Sequence, residues 1–317
     1  MRLYGHPLDN GLWVIHNLNI EPIGEADIGS VKTFLSKEER FDRLEALAPQ
    51  VLYQPGNAAL KPTSLKLIKD NHLVGVTSFA GKYLRLLLID SDERSHGYGT
   101  KLLDEFESHA IREGLSKVQT MAEPGNYISP GIDVRHKETI EWLKRRGYKE
   151  KTRNENIFVE VANNPLVSHE HLKERQSKCK GYAFDRLSKD KLPLWQHFIE
   201  EHFSKGWAFE VGLAATKNNP SGAHVAYDSH GELAAFAAHD GNNTGLGWFG
   251  PTGTLKAHRG KGLAAALLIA CLLDVKANGH TQCEVAWIGP RKFYEKVAGV
   301  CGERHFVVLE KQLSKGE

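Results

Sequence analysis

The chain has 317 residues, of which 41% are hydrophobic and 25% are charged, and its formal net charge is +2. At about 150 residues per domain, this length predicts two globular domains of ordinary composition. A charge so close to zero disfavours nucleic acid or an acidic membrane surface as a partner, so any anion site must be local. The longest apolar run, residues 263–273, is shorter than the ~20 residues that span a bilayer, and it predicts a buried helix.

The cysteines and the N-terminus bear on the cellular location. Cys179, Cys271, Cys283 and Cys301 form no C-x-x-C pair, which favours reduced thiols over a disulfide framework. The opening stretch "MRLYGHPLDNGLWVIHNL" has no basic start followed by an apolar segment, so no signal peptide is predicted. We therefore expect a cytoplasmic protein.

The first half of the chain predicts alternating strands and helices. A helical region at 25–48 precedes a hairpin at 64–80, whose turn is "KDNH". An apolar strand at 83–90 then runs into the glycine-rich turn "RSHGYG" and an amphipathic helix. A strand from Lys117, a helix containing "ETIEWLKRRGY" and a final strand "KTRNENIFVEV" complete this half.

The second half repeats this order at an offset of 165 residues. Arg94, Gly97 and Gly99 correspond to Arg259, Gly262 and Ala264, the last three in "HRGKGLAAALL". A hairpin at 223–239 precedes the second turn, "QCEVAW" follows it in register, and "KFYEK" and "ERHFVVLEKQL" come after that. The polar stretch 162–178 has no apolar periodicity and predicts a linker. The expected organisation is an N-terminal domain (1–162), a linker (163–178) and a C-terminal domain (179–317), each a mixed α/β sheet flanked by helices.

The glycine-rich turns predict an anion site. A strand that ends in glycines and continues into a helix exposes unpaired amides at the positive end of the helix dipole. For a single copy, a simple change of chain direction is an equal alternative, but two copies in matching contexts disfavour it. "GKGLAA" also fits the dinucleotide pattern G-x-G-x-x-A, with Glu284 22 residues beyond Gly262. The first copy lacks the third small residue, so a dinucleotide site remains a distant alternative.

The pattern R-x-x-G-x-G/A after an apolar strand resembles the pyrophosphate loop of the GNAT superfamily of acyl-CoA N-acyltransferases. The resemblance covers nearly all of both halves, and the tandem architecture is similar to that of mycothiol synthase. It implies acetyl-CoA as the acyl donor, held by the loop amides and by the backbone of the preceding strand. The implied residues are Leu87, Leu88, Ile89, Arg94, Ser95, His96, Gly97, Tyr98, Gly99 and Thr100 in the first half, and Thr252, Gly253, Thr254, Arg259, Gly260, Lys261, Gly262, Leu263 and Ala264 in the second.

The same resemblance assigns the chemistry to the second half. Tyr294 in "KFYEK" matches a family tyrosine beside the CoA sulfur, and its phenol O–H is the candidate proton donor to the leaving thiolate. The first half has Leu143 at the matching place, which predicts a degenerate domain. Amphipathic packing is the alternative role of Tyr294.

The base and the acceptor pocket are harder to assign. Glu284, His239 and Asp240 are within reach of a substrate amine and are the candidates for the general base, with Glu284 assigned to the catalytic set. A structural or solvated role is the alternative for each of them and for every pocket candidate. The candidate pocket residues are Trp207, Phe209, Glu210, His239 and Asp240. The first half also carries an insertion, 124–137, that either lines a site or decorates the surface. The "HEH" at 169–171 lies in the polar linker, so no metal is expected.

These observations predict an N-acetyltransferase that acts on a primary amine of a small molecule or peptide. A non-catalytic acyl-CoA-binding or sensing protein on the same scaffold is the alternative. We expect a monomer of the calculated 35.4 kDa, in which the two halves form an internal pseudo-dimer.

Overall fold

A computed structural model describes residues 2–7, 13–38, 41–56 and 60–313, with side chains from residue 17 onward. The stretch used to judge the absence of a signal peptide therefore lies partly outside the described residues. The chain divides into two compact units, both discontinuous in sequence. Unit 1 contains Met1–Glu123, Lys137–Lys151 and Val308–Glu317, and unit 2 contains Pro124–His136 and Thr152–Val307.

Unit 1 is a mixed sheet with helices. Its strands are β1 (Arg2–Pro7), β2 (Trp13–Pro22), β3 (Thr63–Lys69), β4 (His72–Ala80), β5 (Tyr83–Ile89) and β6 (Lys117–Thr120). Its helices are α1 (Ile28–Lys37), α2 (Leu44–Tyr53), α3 (Tyr98–Arg112) and α4 (Lys137–Arg145). Strands β1 to β5 pair antiparallel in sequence order, and β6 lies parallel to β5.

Unit 2 repeats this arrangement. Its strands are β7 (Ile132–Asp133), β9 (Ala183–Arg186), β10 (Ala223–Tyr227), β11 (Leu233–His239), β12 (Trp248–Thr254) and β13 (Gln282–Val285). Its helices are α5 (His169–Ser177), α6 (Leu192–His202), α7 (Lys205–Lys217), α8 (Leu263–Ala277) and α9 (Arg291–Val297). Strands β9 to β12 pair antiparallel, and β13 is parallel to β12.

Two long strands have residues in both units. They are β8 (Lys149–Glu160), which pairs with β13 in unit 2, and β14 (Gly302–Gln312). The end of β14 pairs antiparallel with β6 inside unit 1, with Lys311 opposite Val118. The sheet of the N-terminal unit is therefore completed by a strand from the far end of the sequence.

The predicted repeat is confirmed to the residue. Strand β5, helix α3 and strand β6 recur 165 residues later as β12, α8 and β13, each with the same length as its counterpart. The mixed α/β fold class and both predicted hairpins are also confirmed. The sequence periodicity succeeds here because each helix and strand buries one face against its own unit.

The sheet of unit 2 has two covered faces. Ala235 and Ala237 of β11 pack with α8 in one apolar cluster, whereas Phe236 and Ala238 pack with α6 and α7 in another. Side chains alternate between faces along a strand. We refer to these as the α8 face and the α7 face.

Three features differ from the sequence-based expectation. The predicted linker contains helix α5, which Ser168 caps by accepting the amide of His171. The insertion belongs to unit 2 and is largely buried from Gly125 to Gly131, so it is not surface decoration. The compact units also divide the chain at other places than the expected domain boundaries, which stay a prediction. Among the described helices, none has the length and apolar composition that crossing a bilayer requires.

Candidate active site

The two glycine-rich turns have the same backbone conformation. Gly97 and Gly262 have φ of +80° and +88° and stand immediately before helices α3 and α8. Two residues earlier in each copy, Ser95 and Gly260 also have positive φ, at +67° and +75°. Because the first amides of a helix lack intrahelical partners, both loops present donors to an anion.

The charges around the two loops are opposite in sign. In unit 2 the loop carries Lys256, Arg259 and Lys261, and no described residue lies within ion-pair distance of any of them. In unit 1 the matching stretch carries Asp90, Asp92 and Glu93 around Arg94.

The cations of the unit 1 loop are already paired. Glu38 is largely buried, binds the Arg94 guanidinium and accepts the amide of Ser91 at 2.9 Å. Glu93 binds Lys69 through both oxygens at 2.9 Å. The unit 2 loop is therefore better suited to an anion than the unit 1 loop, although the backbones are alike.

Strand β12 has an open edge next to its loop. It pairs with β13 only at Trp248 and Phe249, and the chain after Ala286 turns away to follow β8. The amide of Leu255 donates to Ala234 of β11, so by alternation the peptide groups of Thr252 and Thr254 face the opposite edge. There the Thr254 carbonyl accepts a hydrogen bond from Arg259 Nε at 3.2 Å. Gly250 opens onto space, since a Cβ there would meet no atom within 4 Å. An extended ligand arm could pair with this edge.

The matching gap in unit 1 is closed by a buried ion pair. Strand β5 pairs with β6 only at Tyr83 and Leu84, as in unit 2. Arg85, at the position of Gly250, then binds the carboxylate of Glu123 with two hydrogen bonds, and both side chains are at most 2% exposed. The Arg85 guanidinium also donates to the Gln54 carbonyl at 2.8 Å, just after α2. This pair ties the two strands together where the ligand arm would enter.

Tyr294 lies on the α8 face of unit 2. It is 6% exposed and packs in the apolar cluster that includes α8, as Leu143 is buried in α4 of unit 1. Burial raises the pKa of its phenol to about 12. The hydroxyl is protonated at neutral pH, as it would be at its ordinary pKa, and burial makes it a weaker acid.

Glu284 points to the opposite, α7 face, because its neighbours Cys283 and Val285 belong to the α8-face cluster. Its Oε1 accepts the Asn156 amide at 2.7 Å and lies 3.4 Å from the Arg304 guanidinium. Arg304 also binds Asp133 at 3.0 Å. Burial alone would raise the pKa of Asp133, but the hydrogen bonds of Arg135 and Arg304 lower it to about 2. Tyr294 and Glu284 thus lie on different faces of the unit 2 sheet.

Glu210 on α7 lies in a second polar cluster on the same α7 face. It is 2% exposed, and burial raises its pKa to about 8, only partly offset by hydrogen bonds from the Gly125 amide and Asn242. The insertion supplies Gly125 and also Tyr127, whose phenol is buried beside Glu210, Asn242 and Trp248. The insertion therefore lines this cluster.

His239 and Asp240 belong to a different network. His239 alternates with Ala235 and Ala237 along β11, so its side chain also lies on the α8 face. There Asp240 and Asp274 bind its two ring nitrogens at 2.9 and 3.2 Å. Burial alone would lower the pKa of His239, but these two hydrogen bonds raise it. Glu210, His239 and Asp240 were predicted from the sequence to line one pocket. In the structure the Glu210 side chain lies on the α7 face, whereas His239 and Asp240 belong to the network on the α8 face.

Asp274 at the centre of this network is also near His224, so three possible metal ligands lie within 4.8 Å of one another. Arg186 already binds both Asp274 oxygens, at 2.6 and 2.8 Å. A metal ion would lie beside this guanidinium, which makes the group a poor cation site.

The remaining pocket candidates lie near the N-terminus of α7. Trp207 is 38% exposed and stacks on Phe203 with ring centroids 5.7 Å apart, and Phe209 is half-buried. Phe203 in turn stands over Gly253, because a Cβ there would lie 2.7 Å from its ring. Tyr127, Asn242 and Trp248 were not predicted as site residues from the sequence. The insertion itself was the available signal for Tyr127, and a loop residue such as Asn242 offers none.

No protein-family model matches the sequence, and no curated protein matches it. Solved structures do match. A GCN5-related N-acetyltransferase from Sphaerobacter thermophilus aligns over 95% of this chain and 97% of its own, with a TM-score of 0.68 and 16% identity. A tandem GNAT protein from the clavulanic acid biosynthesis pathway aligns over 95% and 100%, with a TM-score of 0.67 and 13% identity.

A third match is the GCN5-related glucosamine N-acetyltransferase region of a fungal multi-domain β-N-acetylglucosaminidase. It has a TM-score of 0.75 and 14% identity over 93% of this chain, which spans only 38% of that protein. These likenesses establish the fold: the chain has the tandem GNAT fold, as the two glycine loops predict.

Proposed function

We propose that the protein is an N-acetyltransferase whose acyl donor, acetyl-CoA, binds to unit 2. The observation that carries this proposal is the asymmetry between two loops of identical backbone. The loop of unit 2 is basic and adjoins an open strand edge, whereas that of unit 1 is acidic and adjoins the Arg85–Glu123 ion pair. Only unit 2 offers both the charge and the space that a pyrophosphate with an extended arm requires.

The residues of unit 2 fit the steps of acyl transfer. The neutral amine attacks the thioester carbonyl, a C–N bond forms and the C–S bond breaks. Tyr294 donates its proton to the departing thiolate as the C–S bond breaks, and the phenolate then regains a proton from solvent. A thiol of pKa ~8.5 is a stronger acid than this phenol, so the proton transfer itself is uphill and is driven by the acyl transfer to which it is coupled. Glu284, through water, takes the proton that the amine loses.

The role of unit 1 in this proposal is structural. Leu143 cannot donate a proton. The glycine-rich loop of unit 1 carries three acidic residues, which repel an anion. We infer that unit 1 neither binds acetyl-CoA tightly nor catalyses transfer.

The test is free-thiol release from acetyl-CoA with a panel of primary amines, together with calorimetry of CoA binding. We expect one CoA per chain and turnover with at least one amine. Binding without turnover for every amine would instead support the acyl-CoA-binding alternative. Absence of CoA binding would contradict both.

A further inference from the structure

Four buried polar atoms on the α7 face of unit 2 have no hydrogen-bond partner. They are Glu210 Oε2, both amide atoms of Asn242, and Trp248 Nε1, in residues that are 2%, 0% and 2% exposed. More than nine in ten buried polar groups are paired in folded proteins, and an unpaired one costs about 1–3 kcal/mol. A concentration of such atoms indicates a missing partner.

The residues that carry these atoms lie around the Tyr127 phenol. The Tyr127 phenol lies close enough to Asn242 and Trp248 for both to act on its pKa, and Glu210 also faces it. The Asn242 side chain also lies close enough to Glu210 to lower its pKa, although neither the oxygen nor the nitrogen of that side-chain amide makes a hydrogen bond of normal geometry. Three different segments, α7, the loop after β11 and the insertion, therefore converge here.

The unpaired atoms specify a complementary ligand. Glu210 Oε2, once the carboxyl is ionised, and the Asn242 oxygen accept hydrogen bonds, so they call for a donor that is best supplied by an ammonium group. The Asn242 nitrogen and the indole of Trp248 donate, so they require an oxygen next to that ammonium.

The aromatic rings near these polar atoms also favour binding of a cation. Tyr127 lies 6.1 Å from Trp248 and packs edge-on against Trp287 at 5.4 Å, measured between ring centroids. Trp287 is 42% exposed, so this row of rings runs from the surface to Glu210. Ring faces and a carboxylate together favour a positively charged ligand.

We propose that Glu210, Asn242 and Trp248 form the acceptor-recognition site, and that the acceptor is an amine with a hydroxyl or carbonyl oxygen on the neighbouring carbon. This inference rests on the proposed function, because it names the amine that unit 2 acetylates. Glu210 is a binding group in this scheme, and Glu284 remains the base. A plain alkylamine would leave the Trp248 and Asn242 donors unpaired, and a site of this kind discriminates strongly against such an analogue.

Proton release distinguishes recognition by Glu210 from a merely structural role. Burial keeps the pKa of Glu210 near 8 in the empty site, so the carboxyl is largely protonated at pH 7. The facing groups are Tyr127 from the insertion, with Glu284 of β13 beyond it, and the uncharged Asn242 and Trp248. An ammonium beside the carboxyl lowers its pKa, so binding must release close to one proton.

The experiment is calorimetry on the full chain with CoA present, at pH 7, in two buffers of different ionisation enthalpy. The probes are ethanolamine, its isostere propylamine, and ethylene glycol. We expect ethanolamine to bind at least ~10-fold more tightly than either of the others, with release of about one proton. Glu210→Gln should weaken ethanolamine ~10-fold or more and abolish the proton release. Trp248→Phe should remove the preference over propylamine.

The matched control is Glu201→Gln, an exposed carboxylate on α6, which should leave binding unchanged. If ethanolamine does not bind the folded protein, or binds Glu210→Gln equally well, the orphan atoms hold water only and the inference is wrong. Amine binding is measured here without turnover, and CoA binding is measured separately. A failure of this inference is therefore distinguishable from a failure of the acetyltransferase proposal.

Discussion

At the scale of single residues, burial raises the pKa of the Tyr294 phenol and of the Glu210 carboxyl in unit 2, and it keeps the carboxyl largely protonated at neutral pH. The Tyr294 phenol has only apolar surroundings, and the Glu210 carboxyl has a single amide and an imperfectly placed side-chain amide to offset its burial. Shifts of this size are typical of functional groups, and each makes a prediction that a packing role does not.

Replacing Tyr294 by Phe should lower kcat about 10²–10⁴-fold, because the thiolate then leaves without general-acid assistance. CoA affinity should change little, since the ring and its packing are retained. Tyr148→Phe is the matched control: it removes another buried hydroxyl, in unit 1, and should leave kcat unchanged. Steady-state kinetics with the best amine of the panel would measure both, and full turnover by Tyr294→Phe would refute the assignment.

Glu210→Gln should stabilise the free protein, and more so as pH rises. Folding raises the pKa of this carboxyl from 4.5 to about 8. Its favourable contribution to the free energy of unfolding is therefore complete below pH 4.5 and is lost as the pH rises toward 8. At pH 7 the wild-type protein has lost roughly 3 kcal/mol at this site relative to pH 4.5, and the glutamine variant has lost none of it. Thermal melts at pH 5 and 8 should show a gap in Tm between the two proteins that widens with pH. A constant gap would mean that Glu210 is not held in this state.

At the scale of elements, the two glycine loops give the sharpest comparison. Gly262→Asp places a carboxylate at the N-terminus of α8, where the pyrophosphate is proposed to bind, and should weaken CoA binding by at least ~10-fold. Gly97→Asp makes the same change at φ +80° in unit 1 and should leave CoA affinity unchanged. Calorimetry on both folded variants decides the matter, and equal losses would assign a CoA site to unit 1 as well.

The same elements mark how far the sequence could predict the structure. The strand, turn and helix around each glycine pair were predictable because local periodicity and backbone conformation determine them. Strand β9 and helix α5 were missed because neither has a buried face of its own that is strong enough to produce a pattern.

For the candidate site, the limit was the packing between distant segments. The side of the sheet on which His239 lies follows from its alternation with Ala235 and Ala237, and that signal was available in the sequence. The approach of Tyr127 to Glu210 depends on how the insertion folds over α7, and no local pattern encodes it.

At the scale of the whole molecule, the chain is predicted to be a monomer of 35.4 kDa. Light scattering at micromolar concentration is the measurement, and a stable dimer would contradict the idea that the duplication itself provides the pairing of domains. Because segments of the two units alternate along the sequence, we also make a prediction about the isolated halves of the chain.

A fragment of residues 1–162 should fail to fold as a stable unit, because it lacks the end of β14. Within unit 1 that strand supplies Val308 and Leu309, which are 2% and 0% exposed, and the Lys311–Glu107 ion pair at 2.6 Å. Circular dichroism and thermal melting should show no cooperative transition for 1–162, and one for the full chain. Cooperative melting of the fragment at the same Tm would show that the domain boundary drawn from the sequence is a true folding boundary.

The place of β14 also sets the order of events during translation. The edge of β6 is synthesised before all of Thr152–Val307, and its partner strand appears only afterwards. At ~5–20 residues per second, the nascent N-terminal unit waits on the order of 10 s with an unpaired strand edge. Such an edge invites intermolecular pairing. The first unit to be made is thus the last to be finished, and the yield of folded protein should depend on what shields that edge while the ribosome completes the rest of the chain.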